Sequence, residues 1–372
     1  MPKLRILHLL DSLGPGGAQL AVENLVRHGD HERFEYRVVS LHGRGVYAER
    51  LRELGVEVIS LGDKRANPMM PYRLLKLIRN WRPDIVHSHL VVSHFLAELV
   101  WPFVPRGTRL VQMLQNVVAQ STDYPYQNAL ERLIYRRSHA IVAVSRAVAR
   151  SFRRVHPNRA VRVVYNGVTD GLLAGRDEAA RRRIRADAGL REDQPLFLSA
   201  ARLIGQKNIA YGLEVFEAYR RRVPDAHYWI AGSGPDEPLL RARAQELGLQ
   251  ESVSFLGYRN DVPDLLSAAD LYLMPSRFEG LPLVLIEALG SGAIPVVTPF
   301  AAAAEVVRDG WNGVTIPFAK PEVAAELLLP LGDRSARAVM AARGLKVARR
   351  RFAASAMAAA IHQIYSSVLM ER

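Results

Sequence analysis

Residues 275–298 read PSRFEGLPLVLIEALGSGAIPVVT, and the order of residue types there decides the architecture. The run 271–274 before it and the run 294–298 at its end are short and apolar, as in strands buried on both faces. Between them lie a loop bearing Gly and Pro and an apolar VLIEAL segment of helical length. Strand, loop, helix, strand is the unit of a parallel sheet covered by helices. Glu279 falls in the loop and Glu287 on the helix, eight residues apart. That is slightly over two helical turns, so the two carboxylates can approach one ligand from loop and helix. Gly280, Leu281, Pro282 and Leu283 lead into the helix N-terminus, whose amides and dipole favour an anion. A carboxylate within VLIEAL is costly unless hydrogen-bonded, and a ribose diol can donate two such bonds. A buried structural glutamate is the plainer alternative.

The same alternation runs outward in both directions. Upstream, apolar runs at 196–200, 227–231 and 253–256 read as strands, with helical stretches of ordinary crossover length between them. Before a polar, Arg-rich stretch near 171–194, further strands fall at 4–10, 36–41, 56–61, 85–87, 110–113, 140–144 and 161–164. Helical periodicity fills the gaps, from 18 to about 28, over 72–81 and over 130–138. Residues 352–370 read as a last amphipathic helix, and 100–105 as an apolar, Pro-bounded loop. The expectation is α/β: two Rossmann-like, doubly wound parallel sheets. The divisions are 1–170, 171–351 and the helix 352–372. A chain of 372 residues has the length for two such domains.

Composition narrows the function. With no cysteine, a disulfide scaffold, a thiolate metal site and a cysteine nucleophile are excluded. No uncharged apolar run approaches 18 residues, and a cytoplasmic protein, soluble or peripheral at the membrane, is expected. The net charge of +13 is uneven: residues 1–170 hold 25 Lys and Arg against 14 Asp and Glu, whereas residues 171–372 hold 25 against 23. A first half that basic suits an anionic membrane surface or a phosphorylated substrate. A nucleic acid is not expected, since aromatics are not interleaved with the cations.

Two more places carry candidate chemistry. Gly14–Gly17 lies between a strand and a helix start, where Gly16 and Gly17 would let the backbone approach a phosphate. A tight turn is the plainer reading, and no acidic residue closes the second strand to grip the ribose of a dinucleotide. Arg202 and Lys207 follow the strand 196–200, five residues apart, where a fork and a point charge can together neutralise a diphosphate. No Asp-x-Asp pair follows an apolar strand, so neither a metal nor another cofactor is expected.

The 275–298 segment resembles the E-x7-E signature of retaining, nucleotide-sugar-dependent glycosyltransferases of family 4. The likeness extends through Gly-Gly-Ala near the start, Asp84-Ile85-Val86-His87-Ser88-His89, Ala143-Val144-Ser145, Tyr165-Asn166-Gly167-Val168 and Arg202 with Lys207. It continues through Ala231-Gly232-Ser233-Gly234-Pro235, Phe255-Leu256-Gly257 and the Tyr365 helix. The resemblance implies the GT-B fold, two Rossmann-like domains facing across a cleft. The second domain would bind the donor: Arg202 and Lys207 its diphosphate, Glu287 its ribose, and Glu279 the sugar or its leaving phosphate side. Gly232 and the Tyr258-Arg259 turn would lie beside the base, with Gly16 and Gly17 approaching from the first domain.

The sequence departs from the family in places. Gln115, followed by Asn116, stands where many members carry a histidine, and a glutamine cannot shuttle a proton. Ala201 and Asn208 replace glycines, while His87 and His89 remain as polar candidates on the acceptor side. The implied reaction moves a sugar from a UDP-sugar, or GDP-mannose, to a glycan or lipid-linked acceptor of cell-surface polysaccharide or lipopolysaccharide. A sugar-nucleotide epimerase of the same outline is the alternative.

Overall fold

The computed structural model describes residues 2–43, 45–62, 67–117 and 134–370. The chain forms two compact units, Met1–Gly167 with Ala354–Arg372, and Val168–Ala353. Among the described residues, the first unit holds β1 (Leu4–Leu10), β2 (Phe34–Ser40), β3 (Glu57–Ser60), β4 (Ile85–Ser88), β5 (Arg109–Leu114), β6 (Ala140–Ala143) and β7 (Arg162–Val163). They form one sheet in the order β3-β2-β1-β4-β5-β6-β7, and every pairing is parallel. The second unit holds β8 (Leu196–Ala200), β9 (His227–Ala231), β10 (Val253–Gly257), β11 (Leu271–Met274), β12 (Ile294–Val297) and β13 (Val314–Thr315), ordered β10-β9-β8-β11-β12-β13 and again parallel.

The central strands are buried on both faces, which is why they read as unbroken apolar runs. Helices supply the cover by a stripe. Met70–Trp81 buries Met70, Leu74, Ile78 and Trp81 at helical spacing, and turns the rest outward. The helix Ala354–Met370 likewise buries Met357, Ile361, Ile364, Tyr365 and Val368. It belongs to the first unit, packed on Gly17–Arg27.

Within the Arg-rich stretch 171–194, Glu178–Asp187 is a helix, capped by the Asp177 carboxylate, which accepts from Ala179 and Ala180 N–H. Its Arg181 and Arg185 are buried, because Asp270 waits beneath them: Arg181 donates to Asp270 Oδ1 at 3.1 Å, and Arg185 lies 3.5 Å from Oδ2. Of the helix expected over 130–138, residues 130–133 lie outside the described residues, and 134–137 form bends with Tyr135 at φ 73°. Arg82 ends the helix Met70–Trp81 as its left-handed cap at φ 50°.

Candidate functional site

In each sheet the strand order reverses beside the unit's first strand, between β1 and β4 and between β8 and β11. Ligands of open parallel sheets collect outside the C-terminal strand ends at such a reversal. In the second unit both sides of that point carry the expected residues. Arg202 and Lys207 follow β8, Glu279 follows β11, and Glu287 lies on the helix Leu283–Gly290.

The two loops are joined. Lys207 Nζ donates to Glu279 Oε1 at 2.5 Å. Gln206 Nε2 donates to Phe278 O at 2.9 Å, and Arg277 N to Gln206 O at 2.9 Å. Lys207 ends a short 3-10 turn, after which Asn208 takes φ 53° to open the helix Ile209–Arg220. That left-handed conformation is one glycine adopts freely and asparagine tolerates, which accounts for Asn208.

Glu279 and Glu287 are each 8% exposed. Beneath them Tyr272 donates its hydroxyl to Ala200 O at 3.3 Å. Burial, and then the charges of Glu279 and Glu287, push the Tyr272 phenol well above its ordinary range. Both carboxylates thus raise the phenol of one buried tyrosine. The helix behind them starts at Leu283 with Pro282 as its cap and, among the described residues, no side-chain capping bond. Arg202 is exposed, and among the described residues its guanidinium has no partner. An unpaired cation, a paired lysine, two enclosed carboxylates and an open helix N-terminus can together hold a polyol diphosphate.

Other expected residues have duties inside the fold. Gly232 sits at φ 136°, where a Cβ would stand 1.9 Å from Ala201 O, so the β9 loop closes on the β8 loop only with glycine. Arg259 grips Asp261 through two bonds of 2.7 and 2.5 Å, and Tyr258 beside it is half exposed. Tyr272 and Ser276 were not foreseen. The Ser276 hydroxyl is buried in the loop before Glu279 with no partner. A polar residue between a buried strand and Glu279 was the one signal available for it.

In the first unit, Gly16 and Gly17 open the helix Gly17–Arg27, and Gln19 Nε2 ties the turn by donating to Ser12 O. A Cβ on Gly17 would meet nothing within 4 Å, so the unit's own packing does not demand a glycine there. Gln115, at the end of β5, accepts from Asn166 Nδ2 at 3.0 Å, while Gln115 Nε2 and Asn166 Oδ1 have no partner among the described residues; Asn116 is exposed.

His87 and His89 are buried rather than presented to solvent. His87 Nδ1 shares a hydrogen with Tyr365 Oη at 2.6 Å, and His89 Nε2 with His8 Nδ1 at 3.0 Å. One nitrogen from each of His8, His87 and His89 lies within 4.8 Å of the others, a set of donors able to hold a metal or a water. Burial, reinforced by neighbouring imidazoles, holds all three pKa values far below the ordinary histidine range, so the rings are neutral. The single His8–His89 bond leaves His8 Nε2 and His89 Nδ1 without partners, and in either tautomer one of them is an N–H. His8 was missed because an isolated histidine in a buried strand carries no spacing signal.

Residues 15–171 match the model of glycosyltransferase family 4, and residues 180–345 that of the glycosyl transferases group 1. The lipopolysaccharide core biosynthesis glycosyltransferase LpsE of Rhizobium meliloti (strain 1021) is 25% identical over 95% of this chain and 96% of its own length. An alpha-D-kanosaminyltransferase of Streptomyces kanamyceticus is 26% identical over 66% of this chain, a match spanning 64% of that relative. Among solved structures, Anabaena Alr3699/HepE in complex with UDP-glucose superposes with a TM-score of 0.87, at 21% identity, covering 98% of this chain and all of that one.

Proposed function

The chain belongs to the family-4 glycosyltransferases of the GT-B fold, and from that premise we propose that it moves a sugar from a nucleoside-diphosphate sugar, preferably a UDP-sugar, to an acceptor hydroxyl with retention at the anomeric carbon. The observation that carries this reading is the convergence of Arg202, Lys207, Glu279 and Glu287 on one strand reversal. The solved neighbour held with UDP-glucose supports the choice of donor.

Departure of the diphosphate builds negative charge. Arg202, Lys207 and the N-terminus of Leu283–Gly290 stand ready to stabilise it electrostatically. Fixed cations take the place of a divalent ion. Lys207 turns from Glu279 toward the phosphate as the donor enters, which frees the Glu279 carboxylate for the sugar hydroxyls. Glu287 accepts from the ribose diol. The leaving phosphate itself takes the acceptor's proton on the same face, so no protein nucleophile is needed, and glutamine at 115 suffices as a hydrogen-bonding group.

The acceptor is a glycan or a lipid-linked glycan of cell-surface polysaccharide or lipopolysaccharide. Support comes from the relative named for lipopolysaccharide core biosynthesis and from the basic first half of the chain, which suits an anionic membrane surface. No helix among the described residues is long and apolar enough to cross a membrane.

The test is transfer from UDP-glucose in excess EDTA, with the product's anomeric configuration read by NMR. Sustained turnover to an α-linked product is expected. Activity lost and restored by Mg²⁺ or Mn²⁺, or a β-linked product, contradicts the reading. Conversion of the nucleotide sugar without any acceptor would instead signal an epimerase.

A further inference from the structure

At one edge of the first sheet, β3 and the helix Met70–Trp81 enclose a concavity of about 550 Å³. Its floor is apolar, with Leu61, Leu77 and Trp81, and Arg37, Arg73 and Lys76 line it. Arg37 lies over the Trp81 ring at 4.5 Å and pairs with Glu57 at 2.9 Å, so its charge is partly spent. Arg73 uses one nitrogen on Leu61 O, at 2.6 Å. Lys76 is exposed and has no partner among the described residues. Among the described residues no carboxylate lines the concavity.

The helix extends the same character over the surface. Its outward face carries Arg73, Lys76 and Arg79 with no Asp or Glu. Tyr72 stands 58% exposed near its start. Arg79 donates to Phe103 O at 3.1 Å, which sets Phe103, 61% exposed, beside the row of cations. Cations along a face flanked by exposed aromatic rings suit the boundary between phosphates and acyl chains.

We propose that this concavity is a seat for the phosphate of an anionic phospholipid, with Lys76 and Arg73 on the phosphate, the apolar floor under the glycerol end, and Tyr72 and Phe103 at the interface. The seat deepens the reading of the first half as facing an anionic surface, and is independent of the donor site. It fits a lipid better than free phosphate, because Ile59, Leu61, Leu77 and Trp81 give its lining an apolar side.

The full chain is pelleted with vesicles of phosphatidylcholine alone or mixed with phosphatidylglycerol, at low and at 0.5 M salt. Wild type should pellet only with the anionic vesicles at low salt. Each cation lost from the seat should weaken binding about fivefold. The double variant Arg73→Gln, Lys76→Gln should therefore fall about 25-fold, while Arg350→Gln on the basic helix Arg334–Arg351 of the second unit leaves binding unchanged. A UDP thermal shift equal to wild type verifies that each variant is folded. If wild type pellets but Arg73→Gln, Lys76→Gln pellets equally, the seat is wrong and membrane association stands. If wild type never pellets, both fall. Saturable protection by inorganic phosphate without vesicle binding also overturns the lipid assignment.

Discussion

Gly232 and Gly17 are glycines for different reasons, and substitution separates them. Gly232→Ala drives a Cβ toward Ala201 O at a positive φ, and should cost at least about 2 kcal/mol in urea unfolding. Gly17→Ala has open space at the start of a helix, so the melting temperature should hold or rise slightly. If its backbone serves the donor, transfer should nonetheless fall about tenfold; full activity would leave Gly17 with no role beyond the turn. Lys207 and Glu279 call for a double-mutant cycle. Lys207→Ala leaves an enclosed carboxylate unpaired and should cost about 1–3 kcal/mol, while Lys207→Ala with Glu279→Gln should recover part of that loss. Strictly additive losses would mean that the pair is uncoupled. Glu287→Ala should weaken UDP-glucose binding, measured by calorimetry, by about 10- to 100-fold, the range for a hydrogen bond to a charged group.

Among the elements, the helix Glu178–Asp187 depends most on distant residues. Asp270 follows the helix Val262–Ala268 and accepts from Leu196 N–H at the head of β8 as well as from Arg181. Arg185 also donates to Ala268 O, and Arg337, from the helix Arg334–Arg351, approaches Asp270 to 3.7 Å. One carboxylate therefore ties together two helices and the first strand of the second unit. Asp270→Ala would strand buried guanidinium groups, and an expected loss of about 3–5 kcal/mol follows from removing one side of a buried ionic cluster. Urea unfolding measures it; a loss under about 1 kcal/mol would show that carbonyl partners alone satisfy the arginines.

At the scale of the whole molecule, the histidines divide the two units. Burial lowers His8 and His94 to about 3 and His362 to about 4, with His87 and His89 also far below their ordinary value. Unfolding returns each to about 6.5, so between these values the unfolded chain binds more protons. The neutral-histidine contribution is complete above about pH 6.5 and drains away as pH falls toward the folded values. The second unit contains one histidine, His227, which is lowered as well. Hydrogen exchange between pH 7.5 and 5 should therefore show protection lost first in peptides of Met1–Gly167 and the tail helix. Truncation after Ala353 should produce the same selectivity at neutral pH, since it removes Tyr365 from His87 and His362 from Tyr36.

Local chemistry was enough to determine the central strands and to place the candidate residues at their ends, though not the short edge strand Val314–Thr315. A strand buried on both faces must be an apolar run, so Leu4–Leu10, Leu196–Ala200, His227–Ala231 and Leu271–Met274 were legible to the residue. Glu279, Glu287, Arg202 and Lys207 were legible because parallel-sheet chemistry gathers at strand ends, and strand ends can be counted. The helix Glu178–Asp187 was not, because its arginines read as surface until Asp270, more than eighty residues away, gives them a buried partner. The enclosure of His87 and His89 was equally hidden, since it depends on His8 and on Tyr365 arriving from the far end of the chain. Periodicity reports which side of an element is apolar. Only the assembled structure decides which charges and imidazoles meet there, because a buried polar group is stable only once its distant partner is in place.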